Sequence, residues 1–294
     1  MSSDLLHLVV VTDPGYSQLM TNYRLGLPAW GQKGWDGEYF EVAPDRLAHY
    51  ARVFNTVEGN TTFYATPSAQ TIASWRAQLS GSDFRACFKL PRVITHERTT
   101  RNDILRFLKV MEPIAQHLGP FLVQFPEAVG PEDTDHIRSI LGQLPADIGA
   151  ALELRHPDFF LQDITFDKYF EDTGCFRTIM DTRPIFLQDS NNAAIDEARQ
   201  RKPRLPVHPC ASNNGVLVRL VLHTDEDHNK EYYAGWSKQV ARWLHTGVKV
   251  FMMVHCADNQ YSPRMARRFH EALQMHVQDL SELPPWPVAQ QSLF

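Results

Sequence analysis

Carboxyl and imidazole side chains stand where short apolar segments of the chain end. Glu58, Glu153 and Asp181 each close such a segment, and His96 follows shortly after another. Carboxylates and imidazoles transfer protons in general acid and base catalysis, and both groups also bind metal ions. We therefore predict that Glu58, Glu153, Asp181 and His96 are the catalytic residues.

Basic, amide and hydroxyl side chains near the same segment ends suit an anionic substrate. Arginine forms paired hydrogen bonds with phosphate or carboxylate, and lysine supplies a point charge. Side chains alternate between the two faces of a strand, so Glu153 and Arg155 point the same way. The predicted substrate-binding residues are Asn60, Tyr64, Lys89, Gln124, Arg155, His156, Arg219 and His223.

Other interpretations of these residues stay open. Glu153 paired with Arg155 or Arg219 could be a structural ion pair that closes the mouth of a barrel. His156, which precedes Pro157, could bind the backbone of a loop. A divalent metal is an open alternative as a cofactor, but no two histidines have the His-x-His or i, i+4 spacing of a ligand pair, so the metal ligands are unknown. The sequence contains no Gly-x-Ser-x-Gly motif for a nucleophilic serine.

The segments that position these residues alternate between strand and helix patterns. Apolar or β-branched runs predict eight strands, at residues 24–30, 56–60, 84–90, 121–125, 150–154, 177–181, 216–222 and 249–255. A helical pattern follows most of them, including one from Ile104 to Leu118 that Pro113 could kink. Residues 182–214 are predicted to be a long, irregular, basic connection. We expect an α/β fold, a single (β/α)₈ barrel of the TIM type, whose chemistry lies at the carboxyl ends of the strands.

The ends of the chain do not match the repeating unit. We predict an N-terminal extension at residues 1–22, the barrel at residues 23–280 and a proline-rich tail at residues 281–294. A doubly wound open sheet is the alternative fold, but residues 26–31 read Gly-Leu-Pro-Ala-Trp-Gly and lack the nucleotide-binding glycine pattern.

Composition narrows the class of protein. The 294 residues are 43% hydrophobic and carry a formal net charge of -5, which argues against indiscriminate binding to nucleic acid or to anionic membranes. Four widely separated cysteines suggest neither a zinc site nor a redox pair. The short apolar stretch near the N-terminus is too short for a membrane span and lacks the basic leader of a signal peptide. We expect a cytoplasmic protein that does not bind membranes.

The motifs resemble those of the YecE-like family, known as domain of unknown function 72, over residues 23–275. The resemblance is carried by residues 26–30, 54–64, 88–91, 94–96, 118–120, 124–126, 153–156 and 218–219, the last four reading Leu-Gly-Pro, Gln-Phe-Pro, Glu-Leu-Arg-His and Val-Arg. It implies a TIM-type barrel, similar to the barrels of metal-dependent endonucleases and sugar isomerases. Strand eight departs from the family, since His255 stands where many members have asparagine.

The last five residues resemble a second pattern. Gln-Gln-Ser-Leu-Phe at residues 290–294 is similar to the pentapeptide by which bacterial repair and replication proteins bind the DNA sliding clamp, except for glutamine at its second position. Gln290, Leu293 and Phe294 are the predicted clamp-binding residues. The prolines at residues 283–287 are expected to form a stiff spacer that holds this peptide in solvent.

Two functions follow as hypotheses. The first is a hydrolase that acts on a phosphorylated or nucleic-acid substrate and is recruited to DNA by the sliding clamp. The alternative is a non-catalytic barrel that binds an anion or a sugar and serves as an adaptor.

Overall fold

The computed structural model describes residues 22–97, 101–161, 166–187 and 192–288. Within them lie eight strands: β1 (Tyr23–Gly26), β2 (Thr56–Gly59), β3 (Arg85–Phe88), β4 (Phe121–Gln124), β5 (Ala150–Glu153), β6 (Phe176–Asp181), β7 (Gly215–Leu222) and β8 (Lys249–Cys256). All eight predicted strands are therefore confirmed, with ends that differ by a few residues.

Ten α-helices in the described residues connect or flank these strands. They are α1 (Arg46–Ala51), α2 (Thr61–Tyr64), α3 (Ala69–Leu79), α4 (Arg92–Thr95), α5 (Arg101–Met111), α6 (Thr134–Leu141), α7 (Phe166–Phe170), α8 (Ala193–Arg201), α9 (Lys230–His245) and α10 (Ser262–Gln274). Short 3₁₀ turns lie between several of them. No helix in the described ranges is both long enough and apolar enough to cross a membrane.

The strands form two sheets in which every pair is parallel. Six strands are ordered β1-β8-β7-β6-β5-β4, and β2 pairs with β3. Two isolated bridges connect the β3 and β4 segments: Ala86 of β3 pairs with Leu118, which precedes β4, and Lys89, which follows β3, pairs with Leu122 of β4. On the other side, the Glu58 amide donates to the Leu27 carbonyl at 2.9 Å. The fold is thus α/β with a mostly parallel sheet, and both edges of the smaller sheet contact the larger one.

Close packing of backbones brings β1 against β2. A Cβ atom at Gly26 would lie 2.2 Å from the Thr56 carbonyl oxygen, so only glycine fits there. The buried Tyr50 hydroxyl accepts a hydrogen bond from the Leu27 amide at 2.8 Å and donates to the Thr56 carbonyl at 2.9 Å. This side chain satisfies backbone groups that the short strands leave unpaired.

Both faces of the strands are buried, as expected for a parallel sheet covered by helices. The outer faces pack on helices, and Ile72, Trp75 and Leu79 form a buried stripe on α3. A separate small cluster joins side chains from strands of both sheets: Cys87, Ala151, Leu217, Phe251 and Met253. The core therefore has an inner part between strands and an outer part beneath the helices.

Two predicted segments were wrong in part. The helix predicted to reach Leu118 ends at Met111, and residues Glu112–His117 continue as a 3₁₀ helix with a non-helical Ile114. Pro113 explains the break, because proline has no amide hydrogen and clashes with the preceding turn. The connection at residues 182–214 is not irregular throughout, since it contains α8, whose first turn is capped by the Asn192 side chain.

The proline-rich segment is attached to the rest of the protein. Trp286 packs at 5.1 Å from the Tyr39 ring, and the Arg267 guanidinium lies over the Trp286 ring at 4.2 Å. The Pro287 carbonyl also accepts a hydrogen bond from the Glu41 amide at 3.2 Å. Residues 283–287 therefore do not form a spacer extended into solvent. Residues 1–21 and the predicted clamp-binding residues Gln290, Leu293 and Phe294 lie outside the described residues.

Candidate functional site

A buried arginine on β7 connects two carboxylates at the carboxyl ends of the strands. The Arg219 guanidinium donates to both oxygens of Glu58 at 2.8 Å, and its Nη1 donates to Glu153 Oε2 at 2.5 Å. Glu58 and Glu153 are 0% and 1% exposed. Because Glu58 belongs to the two-stranded sheet and the other two to the six-stranded sheet, this ion cluster links the two sheets.

Three further side chains complete the cluster around the two carboxylates. Arg155 donates to Glu153 Oε1 from Nε at 2.9 Å and from Nη2 at 2.8 Å. The Asn60 amide donates to Glu58 Oε1 at 2.8 Å, and His255 Nε2 donates to Glu58 Oε2 at 3.1 Å. The lone pair of His255 Nδ1 is then left as a buried acceptor without a hydrogen-bond partner in the described structure. Each carboxylate is therefore bound by donors on both of its oxygens.

The cluster holds both carboxylates in the ionised form. Burial alone would raise the pKa of Glu58, but the charge of Arg219 and the hydrogen bonds from Arg219 and His255 hold that pKa well below its usual range. Burial opposes ionisation of Glu153 as well, yet Arg219, Arg155 and Lys89 lower its pKa to about 2. Burial lowers the pKa of His255 to about 4 despite Glu58, so this imidazole is neutral at pH 7.

A cavity of about 630 Å³ opens above the cluster. Cationic side chains dominate its polar wall: Lys89, Arg92, Arg155, Arg201, Lys202 and Arg219. Glu58 and Glu153 are not among the lining residues; they lie behind Arg219 and Arg155. The cavity therefore presents cations to a ligand, while the carboxylates orient those cations from behind.

Two lysines are the least compensated charges of the cavity. Lys89 is 9% exposed, donates to Gln124 Oε1 at 2.6 Å and lies 3.7 Å from the centre of the Phe63 ring. The Lys202 ammonium has no hydrogen bond or ion pair within the part of the chain that the structure describes, and it faces the cavity. Burial, followed for Lys202 by the charge of Arg219, lowers the pKa of each lysine to about 8.

The rim of the cavity is more exposed and partly aromatic. Tyr64 is 82% exposed, and its ring meets the Phe63 ring edge-on at 5.2 Å. His96 lies next to Phe63 and binds the Thr95 hydroxyl through Nδ1 at 2.8 Å. Burial and the charges of nearby cations lower the pKa of His96 to about 4, so it is a neutral acceptor or donor at pH 7.

Most of the predicted site residues lie in the ion cluster or around the cavity above it. Glu58, Glu153, Asn60, Lys89, Gln124, Arg155, Arg219, His96 and Tyr64 either form the ion cluster or line the cavity above it. These positions agree with the rule that parallel strands collect their functional residues at one end. Their catalytic or binding roles stay a prediction.

Three predicted residues lie elsewhere, which corrects the expectation that they share this cavity. Asp181 is bound by the Arg183 guanidinium at 2.7 Å and by Trp236 Nε1 at 2.8 Å, on the helix side of β6. His156 accepts from the Asp158 amide at 3.2 Å and so caps a short 3₁₀ turn. His223 accepts from the Asp225 amide at 3.0 Å within the loop that follows β7.

Lys202 and His255 are site residues that the sequence-based prediction left out. Lys202 follows α8, and its segment is held by a hydrogen bond from the Thr182 hydroxyl to the Pro203 carbonyl at 2.9 Å. His255 has the same side-chain phase on β8 as Met253, whose side chain lies in the inner core cluster. That alternation was the signal that could have placed His255 inside.

The side chains of the ion cluster and of the cavity do not suit a bound metal ion. Both carboxylates are bound by arginine, and cations surround the remaining space. Among the described residues, no group of three or more histidine, cysteine, aspartate or glutamate side chains could hold a metal. Arginine and lysine donors in a concave site instead suit phosphate or carboxylate groups.

The sequence of this chain matches a known protein family over most of its length. The family described as "Protein of unknown function DUF72" matches residues 24–291. The chain belongs to the DUF72 family. It is 32% identical over 276 residues to the UPF0759 protein YecE of Escherichia coli strain K12, covering 92% of this chain and 99% of that protein. The YecE protein of Escherichia coli O157:H7 is 31% identical over the same length.

A solved DUF72 structure confirms the similarity in fold. The crystal structure of a DUF72 family protein from Thermotoga maritima matches with a TM-score of 0.65, covering 85% of this chain and 98% of that one. Its sequence identity is 18%, so this likeness concerns the fold. The YecE-like resemblance predicted from the motifs is thus confirmed.

Proposed function

We propose that this DUF72 protein binds a small anionic ligand, of the phosphate or carboxylate class, in the cavity above Arg219. The observation that supports this proposal is the arrangement of charges around the cavity. Lys89, Lys202 and Arg155 line the open space, whereas Glu58 and Glu153 lie behind the cations and do not line it. Cations are expensive to bury without a partner. A bound anion would supply that partner and would stabilise the folded protein.

The proposal includes a closed (β/α)₈ barrel as the frame of this cavity. Its support is that the smaller sheet reaches the larger one on both sides, through the bridge between Lys89 and Leu122 and through the Glu58 amide. Arg219 adds a direct ion pair from β7 to β2. In a closed ring, the ends of all eight strands surround one axis, which accounts for side chains from both sheets in one cluster.

Thermal unfolding in the presence of phosphate, sulfate or citrate tests the anion site. A ligand that binds the native state raises the melting temperature in a concentration-dependent manner. We expect such a rise for the wild-type protein and a smaller one for Lys89→Met. The matched control is Lys238→Met, which removes an exposed lysine of α9 and should respond as the wild type does. An equal response of Lys89→Met and wild type would contradict the proposal.

Hydrolysis of a phosphorylated or nucleic-acid substrate is the second candidate, and the two lysines favour it. A general acid acts best when its pKa is near the working pH, and the pKa values of Lys89 and Lys202 are about 8. Glu58 and Glu153 would then orient the cations rather than exchange protons. Release of phosphate from a panel of phosphomonoesters, lost in Lys89→Met, would support the enzyme. Anion binding without turnover of any panel member would support the anion- or sugar-binding adaptor.

We also propose that residues 290–294 bind the DNA sliding clamp and thereby bring the barrel to DNA. The support for this proposal is the pentapeptide pattern of the sequence. We further propose a cytoplasmic location, with which the four free cysteines are consistent. Deletion of Leu293 and Phe294 should abolish binding to a purified clamp and leave the melting temperature unchanged. Equal clamp binding by the truncated protein would overturn this part of the proposal.

A further inference from the structure

The inner charges of the cavity match a doubly charged anion. Lys89, Lys202, Arg155 and Arg219 carry four positive charges, and Glu58 and Glu153 supply two negative charges, which leaves an excess of two. The nearby imidazoles do not add to this excess, because the pKa values of His96 and His255 are about 4.

Most of the remaining charges at the rim are compensated. Arg201 is paired with Glu197 at 2.6 Å, and Arg92 with Glu97 at 3.2 Å. Asp258, the other carboxylate of the lining, accepts hydrogen bonds from the Cys256 thiol and the Gln260 amide, both at 3.0 Å, and these neutral donors leave its negative charge in place. The excess of positive charge is therefore concentrated at the inner end of the cavity, and one negative charge lies at the rim.

Hydrogen-bond donors are available at the same place. Arg155 uses two of its five N–H bonds on Glu153, and the Lys89 ammonium uses one on Gln124. Lys202 donates to no group in the described ranges. These three side chains come from different elements and line the same cavity.

The cavity is also larger than an inorganic anion. Its volume of about 630 Å³ lies within the ~300–1,000 Å³ typical of sites for small organic molecules. Tyr64 stands at the rim with most of its ring exposed, where an aromatic side chain can stack on a flat ring of a ligand. The space between the inner cations and Tyr64 thus leaves room for an organic group attached to the anion.

We infer that the ligand is a phosphomonoester, held by Lys89, Lys202 and Arg155, with its organic group directed toward Tyr64. This inference rests on the proposed anion site and narrows it. A terminal phosphate carries about −1.5 to −2 charges at pH 7, whereas a phosphodiester carries about −1. An excess of two positive charges at the inner end of the cavity therefore favours a phosphate end group over the internal phosphates of a nucleic-acid chain.

Isothermal titration at pH 7 with two matched nucleotides tests the charge selection. Adenosine 5′-monophosphate and cyclic adenosine 3′,5′-monophosphate share the same base and sugar, but only the first has a phosphate end group. We expect the monophosphate to bind at least about tenfold more tightly, and Lys202→Met to remove most of that difference. Lys238→Met should retain it. Circular dichroism and thermal unfolding confirm that each variant is folded.

A second pair of ligands tests the direction of the organic group. Tyr64→Ala should weaken adenosine 5′-monophosphate several-fold and leave ribose 5-phosphate unchanged, because only the first has a ring to stack. Equal affinity for the two nucleotides, or no effect of Lys202→Met on their difference, would overturn the inference and leave the anion site standing. Equal effects of Tyr64→Ala on both monoesters would overturn the assigned orientation. Failure of inorganic phosphate and of all these ligands to bind would overturn the anion site itself.

Discussion

Glu153 and Asp181 each occupy the last position of a strand, on neighbouring β5 and β6, yet they face opposite sides of the sheet. Glu153 joins the ion cluster inside, whereas Asp181 binds Arg183 and Trp236 beneath the helices. The strand register explains the difference, because Met180 is paired with Arg219 and contacts its guanidinium. Asp181, the next residue, must then point the other way.

This comparison shows that a strand end is not sufficient to place a side chain in the site. The residue must also have the inward phase of its strand. Asp181, which has the outward phase, meets Trp236 of the covering helix α9 and does not line the cavity. Substitutions on the two sides should therefore have different effects on stability and on anion binding.

The largest expected difference lies between the two arginines that bind these carboxylates. Arg219→Met leaves Glu58 and Glu153 buried without their main partner, which should lower the free energy of unfolding by about 3–5 kcal/mol. Arg183 is 52% exposed, and the buried Asp181 keeps hydrogen bonds from Trp236 Nε1 and from the backbone amide of residue 183, so Arg183→Met should cost less, about 1.5–3 kcal/mol. Urea denaturation measures both values. Equal losses would mean that the inner cluster contributes no more than the outer pair.

The acid stability of the protein gives a smaller and more specific difference. The pKa of Glu153 is about 2 in the folded protein, against an ordinary 4.5. Its contribution is therefore complete above about pH 4.5 and is lost as the pH falls toward 2, at most about 3 kcal/mol. Glu153→Gln should remove this part of the pH dependence. Identical unfolding curves for variant and wild type between pH 5 and 2 would show that Glu153 is not held ionised by its arginines.

The smallest expected effect is a change in anion affinity with pH. It should depend on the lysines of the cavity and not on Asp181. The pKa values of Lys89 and Lys202 are about 8, so both lysines lose their charge as the pH rises through that value. We expect phosphate to bind about tenfold more weakly at pH 9.5 than at pH 7.5. Asp181→Asn should keep this profile, and the Lys89→Met, Lys202→Met double variant should lose it. Titration calorimetry at the two pH values makes the comparison, and a change caused by Asp181→Asn would contradict it.

The sequence predicted much of the fold because each strand is short, apolar and followed by a polar turn. It also offered Glu153 as an ion-pair partner of Arg219, since the ends of parallel strands converge whatever the packing details, but it did not predict the pair of Arg219 with Glu58. The sequence alone does not show whether Met180 or Asp181 points to the face of the sheet that carries the ion cluster. The two side chains must point to opposite faces, but no other residue of β6 indicates which face is which. Only the register against β7 decides which of the two meets Arg219.

Lys202 was missed for a different reason. The long connection between β6 and β7 was predicted to be irregular, although residues 193–201 read Ala-Ala-Ile-Asp-Glu-Ala-Arg-Gln-Arg after the capping Asn192. Most of these residues are strong helix formers, and together with the capping Asn192 they could have revealed α8. The position of Lys202 at the cavity depends on tertiary contacts, such as the hydrogen bond from the Thr182 hydroxyl to the Pro203 carbonyl. Sequence patterns do not encode such contacts.

The docking of Trp286 fastens two distant parts of the sequence to each other. Its ring packs on Tyr39, the Arg267 guanidinium of α10 lies over it, and the Pro287 carbonyl accepts a hydrogen bond from the Glu41 amide. The loop after β1 and the last helix are therefore held together by one aromatic side chain. Loss of that ring would loosen both segments at once.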